Sequence, residues 1–147
     1  MPESMLKLSG IARDFHDGRA MRRVLQKTDL DLYPGEFTIL AGPSGSGKTT
    51  LLTIMGLILK PSEGTIAIRG NTSSDISESD LASLRLQNYG FVFQLAELLP
   101  ALSVMENIIV ASGIQGRRVP APLRKRARDL LDELGLADCM HLRPLQL

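Results

Sequence analysis

The sequence predicts an α/β fold, and three observations carry that expectation. Apolar and polar residues alternate from Met5 to Phe15 and again from Val24 to Leu32, with Leu6, Leu8, Leu30 and Leu32 on the repeat. That is the period of half-exposed strands. Phe37-Thr38-Ile39-Leu40-Ala41 is a short apolar run of the kind used by a parallel strand covered on both faces. Lys48 to Leu59 carries Leu51, Leu52, Ile54, Met55, Leu57, Ile58 and Leu59, apolar nearly all round, as a buried helix would be.

The elements follow in chain order. Asp17-Gly18-Arg19 marks a turn between the first two strands, and Pro34-Gly35 marks the next. Between the apolar run and the helix, residues 42–49 read Gly-Pro-Ser-Gly-Ser-Gly-Lys-Thr. The string fits G-x-x-x-x-G-K-[ST], the phosphate-binding loop, and lies between strand and helix as that motif requires. Its glycines let main-chain N–H groups turn inward around an anion. The helix beginning near Lys48 adds unpaired N–H groups and the positive end of its dipole. Lys48 is placed to reach the β- and γ-phosphates as a point charge, and the Thr49 hydroxyl to ligate Mg²⁺. The candidate nucleotide-binding residues of this loop are Gly42, Pro43, Ser44, Gly45, Ser46, Gly47, Lys48, Thr49 and Thr50.

After the helix, Pro61-Ser62-Glu63-Gly64 forms a turn into a strand, Thr65 to Arg69, so antiparallel strands flank the loop in sequence. A short helix around Asp80 to Leu86 leads to a strand, Tyr89 to Gln94. Beyond Gln94 the pattern becomes helical. Ser103-Val104-Met105-Glu106 has the Ser-x-x-Glu form of a capping box. After Gly113 to Gly116 a second helix runs from about Ala121, with Leu123, Ala127, Leu130, Leu131 and Leu134 as its apolar stripe. Gly135 is its stop.

Composition bounds the rest. A chain of 147 residues is long enough for one domain with a real core. Lys+Arg 17 against Asp+Glu 16 leaves a formal charge of +1, so no global field argues for a nucleic-acid or acidic partner. The basic run Arg124-Lys125-Arg126 with Arg128 reads as a solvated helix face, since no aromatics interleave. Cys139 is the single cysteine and excludes an intramolecular disulfide framework. His16 and His141 are assigned no role. Neither a secretory signal nor a run long enough to span a bilayer is present, so the chain reads as cytoplasmic and soluble.

In the order of its segments the chain resembles the nucleotide-binding subunit of an ABC transporter. The matching pieces are Pro34-Gly35-Glu36-Phe37, the phosphate loop, Leu51-Leu52, Pro61-Ser62-Glu63-Gly64 and Tyr89-Gly90-Phe91-Val92-Phe93-Gln94. Leu98-Leu99-Pro100 and Glu106-Asn107 complete them. Within the family the likeness is greatest to the branch serving lipoprotein release and macrolide-type export. The resemblance implies an ABC-type P-loop NTPase fold with an N-terminal antiparallel β-subdomain, a partial parallel core and a helical subdomain. Residues 1–94 would form the β-subdomain and loop core, and 95–147 the helical part. It implies ATP and Mg²⁺ as ligands. Catalysis would fall to Lys48 and to Gln94, the latter touching Mg²⁺ or the attacking water. Phe15 falls where the family stacks an aromatic on adenine, which suits any base because every base has a π-face. The implied partners are a membrane permease, faced by Leu95 to Leu102, and a second nucleotide-binding subunit, with no nucleic acid. The subunit would sit at the inner or plasma membrane through that permease.

Two departures from the family pattern set further expectations. Ala96-Glu97 stands where many relatives carry an aromatic and an asparagine, which would alter the permease contact. The segment His141 to Leu147 resembles the approach to the signature Leu-Ser-Gly-Gly-Gln and stops at its leucine. On that reading the C-terminal part is missing: signature, Walker B aspartate, catalytic glutamate and switch histidine. The isolated 147 residues are then expected to bind nucleotide weakly, without turnover, and to leave Phe37 to Ala41 with an unpaired apolar edge. Two other functions compete, the first supported by the same sequence and the second by less of it. One is a non-catalytic remnant that binds nucleotide or a partner. The other is a small-molecule kinase using the same loop, with Arg117, Arg118 and the basic helix as its lid.

Overall fold

The computed structural model describes residues 3–18, 20–72, 77–94, 98–112 and 119–147. Arg19, Leu95, Ala96-Glu97, Gly113 to Gly116, Arg117 and Arg118, all singled out in the sequence, lie outside the described residues. The chain divides into two compact units, Met1–Tyr89 and Gly90–Leu147.

The first unit is a four-stranded sheet with two helices. Strands β1 (Leu6–Asp17), β2 (Ala20–Leu32), β3 (Glu63–Ile68) and β4 (Asn71–Thr72) lie in the order β2-β1-β3-β4. All three pairings are antiparallel. Pairing on β1 breaks register on both sides of Gly10, whose N–H donates to Asp29 Oδ1 at 2.7 Å. There β3 comes in so close that a Cβ on Gly64 would sit 2.5 Å from the Gly10 carbonyl. Only glycine tolerates that approach, and at φ 87 it does so without strain.

Helix α1 (Lys48–Met55) and helix α2 (Glu78–Asn88) belong to the same unit. Ser77 starts α2 by accepting the Asp80 N–H on its hydroxyl at 3.3 Å. Leu8, Ile11 and Ile54 are fully buried, together with Leu6, Leu25, Leu51, Leu57, Ile66, Ile68 and Leu81. At about 1.5–3 kcal/mol for each large apolar side chain removed from water, this cluster is the main support of the unit. Arg85 adds a polar tie, donating from Nη1 to the Leu57 carbonyl at 2.6 Å. That bond satisfies a carbonyl left open where α1 ends.

Across the sheet, Arg23 on β2 grips Asp14 on β1 with two bonds of 2.8 and 2.9 Å and also bonds Glu63 on β3. Hydrogen bonding to Arg23 holds the Asp14 carboxyl below its ordinary value. Lys27, and after it Arg23, does the same for Glu63. Both carboxyls thus titrate lower folded than unfolded, and the unfolded chain binds more protons as the medium is acidified. Their stabilisation is complete above about pH 4.5, the unperturbed glutamate value, and is lost as pH falls through the folded values. Urea unfolding at neutral and acid pH is expected to show a smaller acid-induced fall in midpoint for Arg23→Met than for the unaltered chain. An equal fall in both would contradict that assignment.

Three expectations are corrected. Residues 37–41 join no ladder, so no parallel core forms among the described residues. Phe37 is 91% and Ile39 76% exposed. An apolar run becomes a buried strand only beside partner strands, and no described strand lies against it. The helix expected to reach Leu59 stops at Met55, because Gly56 follows and Leu57 turns to φ 58. The expected strand from Tyr89 to Gln94 is also absent. Tyr89 caps α2, Gly90 to Phe93 join no helix or ladder, and the chain bends at Gln94.

The second unit contains α3 (Val104–Ala111) and α4 (Ala121–Glu133). The capping box is formed: Glu106 N–H donates to Ser103 Oγ at 3.3 Å, and Ser103 N–H to Glu106 Oε2 at 2.8 Å. Asn107 holds the segment before α3. Its Oδ1 accepts from Leu99 N–H at 2.8 Å, and its Nδ2 lies 3.2 Å from the Leu99 and Leu102 carbonyls. On α4, Ala127 and Leu131 are buried, but Leu134 is 71% exposed. The stripe ends before Leu134 because the helix closes at Glu133 and Gly135 turns the chain at φ 69. Lys125 pairs with Asp129 at 2.8 Å and Arg126 with Glu133 at 3.9 Å, as on a solvated helix face.

Candidate functional site

The phosphate loop and the first turn of α1 hold every loop residue singled out in the sequence. Ser46 N–H donates to the Pro43 carbonyl at 3.3 Å, and Leu51 N–H to the Gly47 carbonyl at 2.8 Å. Gly47 is the N-cap, at φ 90, and is buried. A Cβ there would stand 2.8 Å from the Val24 carbonyl oxygen, so the loop can seat against β2 only with glycine at this position. The sheet meets the loop at a bulge. Register runs from Arg13–Leu25 to Asp14–Arg23, leaving Val24 as the extra residue.

Helix α1 starts without a side-chain cap and without an acidic residue in its first turn. Its opening N–H groups and dipole therefore remain unbalanced by protein charge, which favours an anion. Lys48 Nζ donates to the Gly42 and Pro43 carbonyls at 2.8 and 2.7 Å, which holds the ammonium over the loop. A hollow of about 230 Å³ is lined by Val24, Ser44, Gly45, Gly47, Lys48, Thr49 and Thr50. Donors converge there, and none of the lining residues is a carboxylate.

Thr49 is exposed in the first turn. One hydroxyl beside a phosphate site suits Mg²⁺, which takes hard oxygen ligands and usually keeps several waters and phosphate oxygens. Among the described residues no cluster of three His, Cys, Asp or Glu could hold a metal by itself. Phe15 lies on β1 and is 37% exposed. Gln94 is exposed and belongs to the second unit, following the stacked rings of Phe91 and Phe93 at 5.8 Å. Two features escape sequence reading, the Val24 bulge and the Arg13 guanidinium over Phe15. A bulge leaves no mark in simple alternation, and Arg22-Arg23 hides the start of β2 behind charge.

Residues 25–146 match the ABC transporter family. The chain belongs to that family. It is 44% identical over 135 residues to the lipoprotein-releasing system ATP-binding protein LolD 1 of Caulobacter vibrioides, covering 92% of this chain and 58% of that one. It is 41% identical to the macrolide export ATP-binding/permease protein MacB of Wolinella succinogenes, covering all of this chain and 23% of that one. Among solved structures, a dimeric bacterial ABC transporter cassette superposes with a TM-score of 0.85 at 33% identity. A dimeric post-hydrolysis cassette bound to ADP and Pi gives 0.84, and each covers 97% of this chain and 63% of the other. The fold is therefore that of an ABC cassette, a P-loop NTPase. The chain spans 58% of the length of the LolD relative and 23% of the MacB relative. Family membership displaces the small-molecule kinase reading.

Proposed function

We propose that this chain is the ATP-binding part of an ABC transporter of the lipoprotein-release and macrolide-export type. It would couple ATP binding and hydrolysis to movement of a membrane permease. The observation that carries the reading is the phosphate cradle: Gly47 seated on Val24, α1 opening uncapped, and Lys48 held over the loop. Phosphate oxygens would take the loop N–H groups and the Lys48 ammonium in place of the Gly42 and Pro43 carbonyls. Thr49 would hold Mg²⁺, which when bound would supply neutralisation of phosphate charge. Gln94 would sense the γ-phosphate, and Phe15 would stack on adenine. The solved relatives are dimeric, which supports a second cassette as partner beside the permease.

A binding-only role for these 147 residues is the second reading, favoured by the lack of any carboxylate among the residues lining the hollow. The test for the ATP site is a calorimetric titration of the chain with Mg·ATP and, separately, with AMP. ATP is expected to bind at least about tenfold more tightly, since AMP lacks the β- and γ-phosphates that Lys48 is proposed to meet; that ratio is about 1.4 kcal/mol. Equal affinities would remove the loop from the account.

A further inference from the structure

Phe15 carries a partner on β1. The Arg13 guanidinium carbon lies 4.7 Å from the centre of the Phe15 ring. Arg13 Nη1 donates to the Lys60 carbonyl at 2.9 Å, which tethers the cation to the segment following α1. Arg13 Nε is buried without a hydrogen-bond partner, so the ring supplies the electron density on that side. Phe15 still keeps 37% of its surface exposed. A ring with a guanidinium on one face and over a third of its surface open is a one-sided platform. Its place in the sheet is also fixed: Arg13 pairs with Leu25, and Leu25 is in contact range of the Gly47 position. The platform thus stands near the strand position that seats the phosphate loop.

We propose that Arg13 is a positioning residue for the nucleotide base. It fixes the tilt of the Phe15 ring and reserves the opposite face for stacking. By drawing π-density toward its own face, it makes that opposite face a better partner for an electron-rich purine. The proposal rests on the reading of Phe15 as the base platform. Arg13 itself touches no part of the nucleotide.

The experiment titrates ATP and inorganic tripolyphosphate, each with Mg²⁺, into the unaltered chain, Arg13→Met, Arg13→Lys and Lys48→Ala. Arg13→Met is expected to weaken ATP about three- to fivefold, the scale of a cation–π contact. Tripolyphosphate, having no base, is expected to bind it unchanged, which also shows that the loop is folded. Arg13→Lys, which keeps the charge and loses the flat stack, is expected to fall between the two. Unchanged ATP affinity in Arg13→Met, or equal weakening of ATP and tripolyphosphate, overturns the role of Arg13 alone. Unchanged ATP affinity in Lys48→Ala overturns the ATP-site reading and this inference with it.

Discussion

Lys48→Ala is expected to weaken Mg·ATP binding by about 10- to 100-fold, the loss of one or two charge-assisted hydrogen bonds of about 1.5–3 kcal/mol in all. The side chain is half-buried and its ammonium bonds only loop carbonyls, Gly42 and Pro43, among the contacts described. Removing it therefore deletes the cation of the cradle and leaves the core cluster around Leu8, Ile11 and Ile54 intact. Unfolding midpoints of the variant and the unaltered chain are expected to agree closely while their affinities separate. A variant that loses stability and affinity together would mean that Lys48 acts as a brace for the loop.

Gly47→Val is expected to do both kinds of damage. At φ 90 an L side chain costs about 1–2 kcal/mol in backbone strain. The Cβ meets the Val24 carbonyl at 2.8 Å and the Leu25 side chain at 3.4 Å, so the loop must lift from β2 or the bulge must shift. Either movement misaligns the first-turn N–H groups of α1. Nucleotide affinity is expected to fall at least as far as in Lys48→Ala, with a loss of stability of about 1–3 kcal/mol measured by chemical denaturation. Retained affinity in a stably folded Gly47→Val chain would show that contact with β2 does not set the loop.

Much of this was legible in the residues. The loop string names its own geometry, since few sequences place glycine at each point where the backbone must turn inward. Alternation over Met5 to Phe15 and Val24 to Leu32 marks β1 and β2, and the Ser-x-x-Glu pattern marks the start of α3. What was illegible has a common cause. Phe37 to Ala41 and Tyr89 to Gln94 carry strand chemistry, but a strand is a relation between segments and depends on its neighbours. The Arg13–Phe15 contact and the Val24 bulge depend likewise on cross-strand register, which no single segment encodes. In the first helix the apolar residues Leu57 to Leu59 pointed to continuation past Met55. Leu57 instead enters the core through a left-handed turn.

A titration of the chain with Mg·ATP, run beside AMP and beside ATP in excess EDTA, is the decisive test of the proposed ATP site. Saturable ATP binding is expected, weaker when Mg²⁺ is removed and weaker still for AMP, because in the proposed site the β- and γ-phosphates would engage Lys48 and the metal would engage Thr49. Indistinguishable affinities under all three conditions, or no ATP binding by a folded chain, would contradict it.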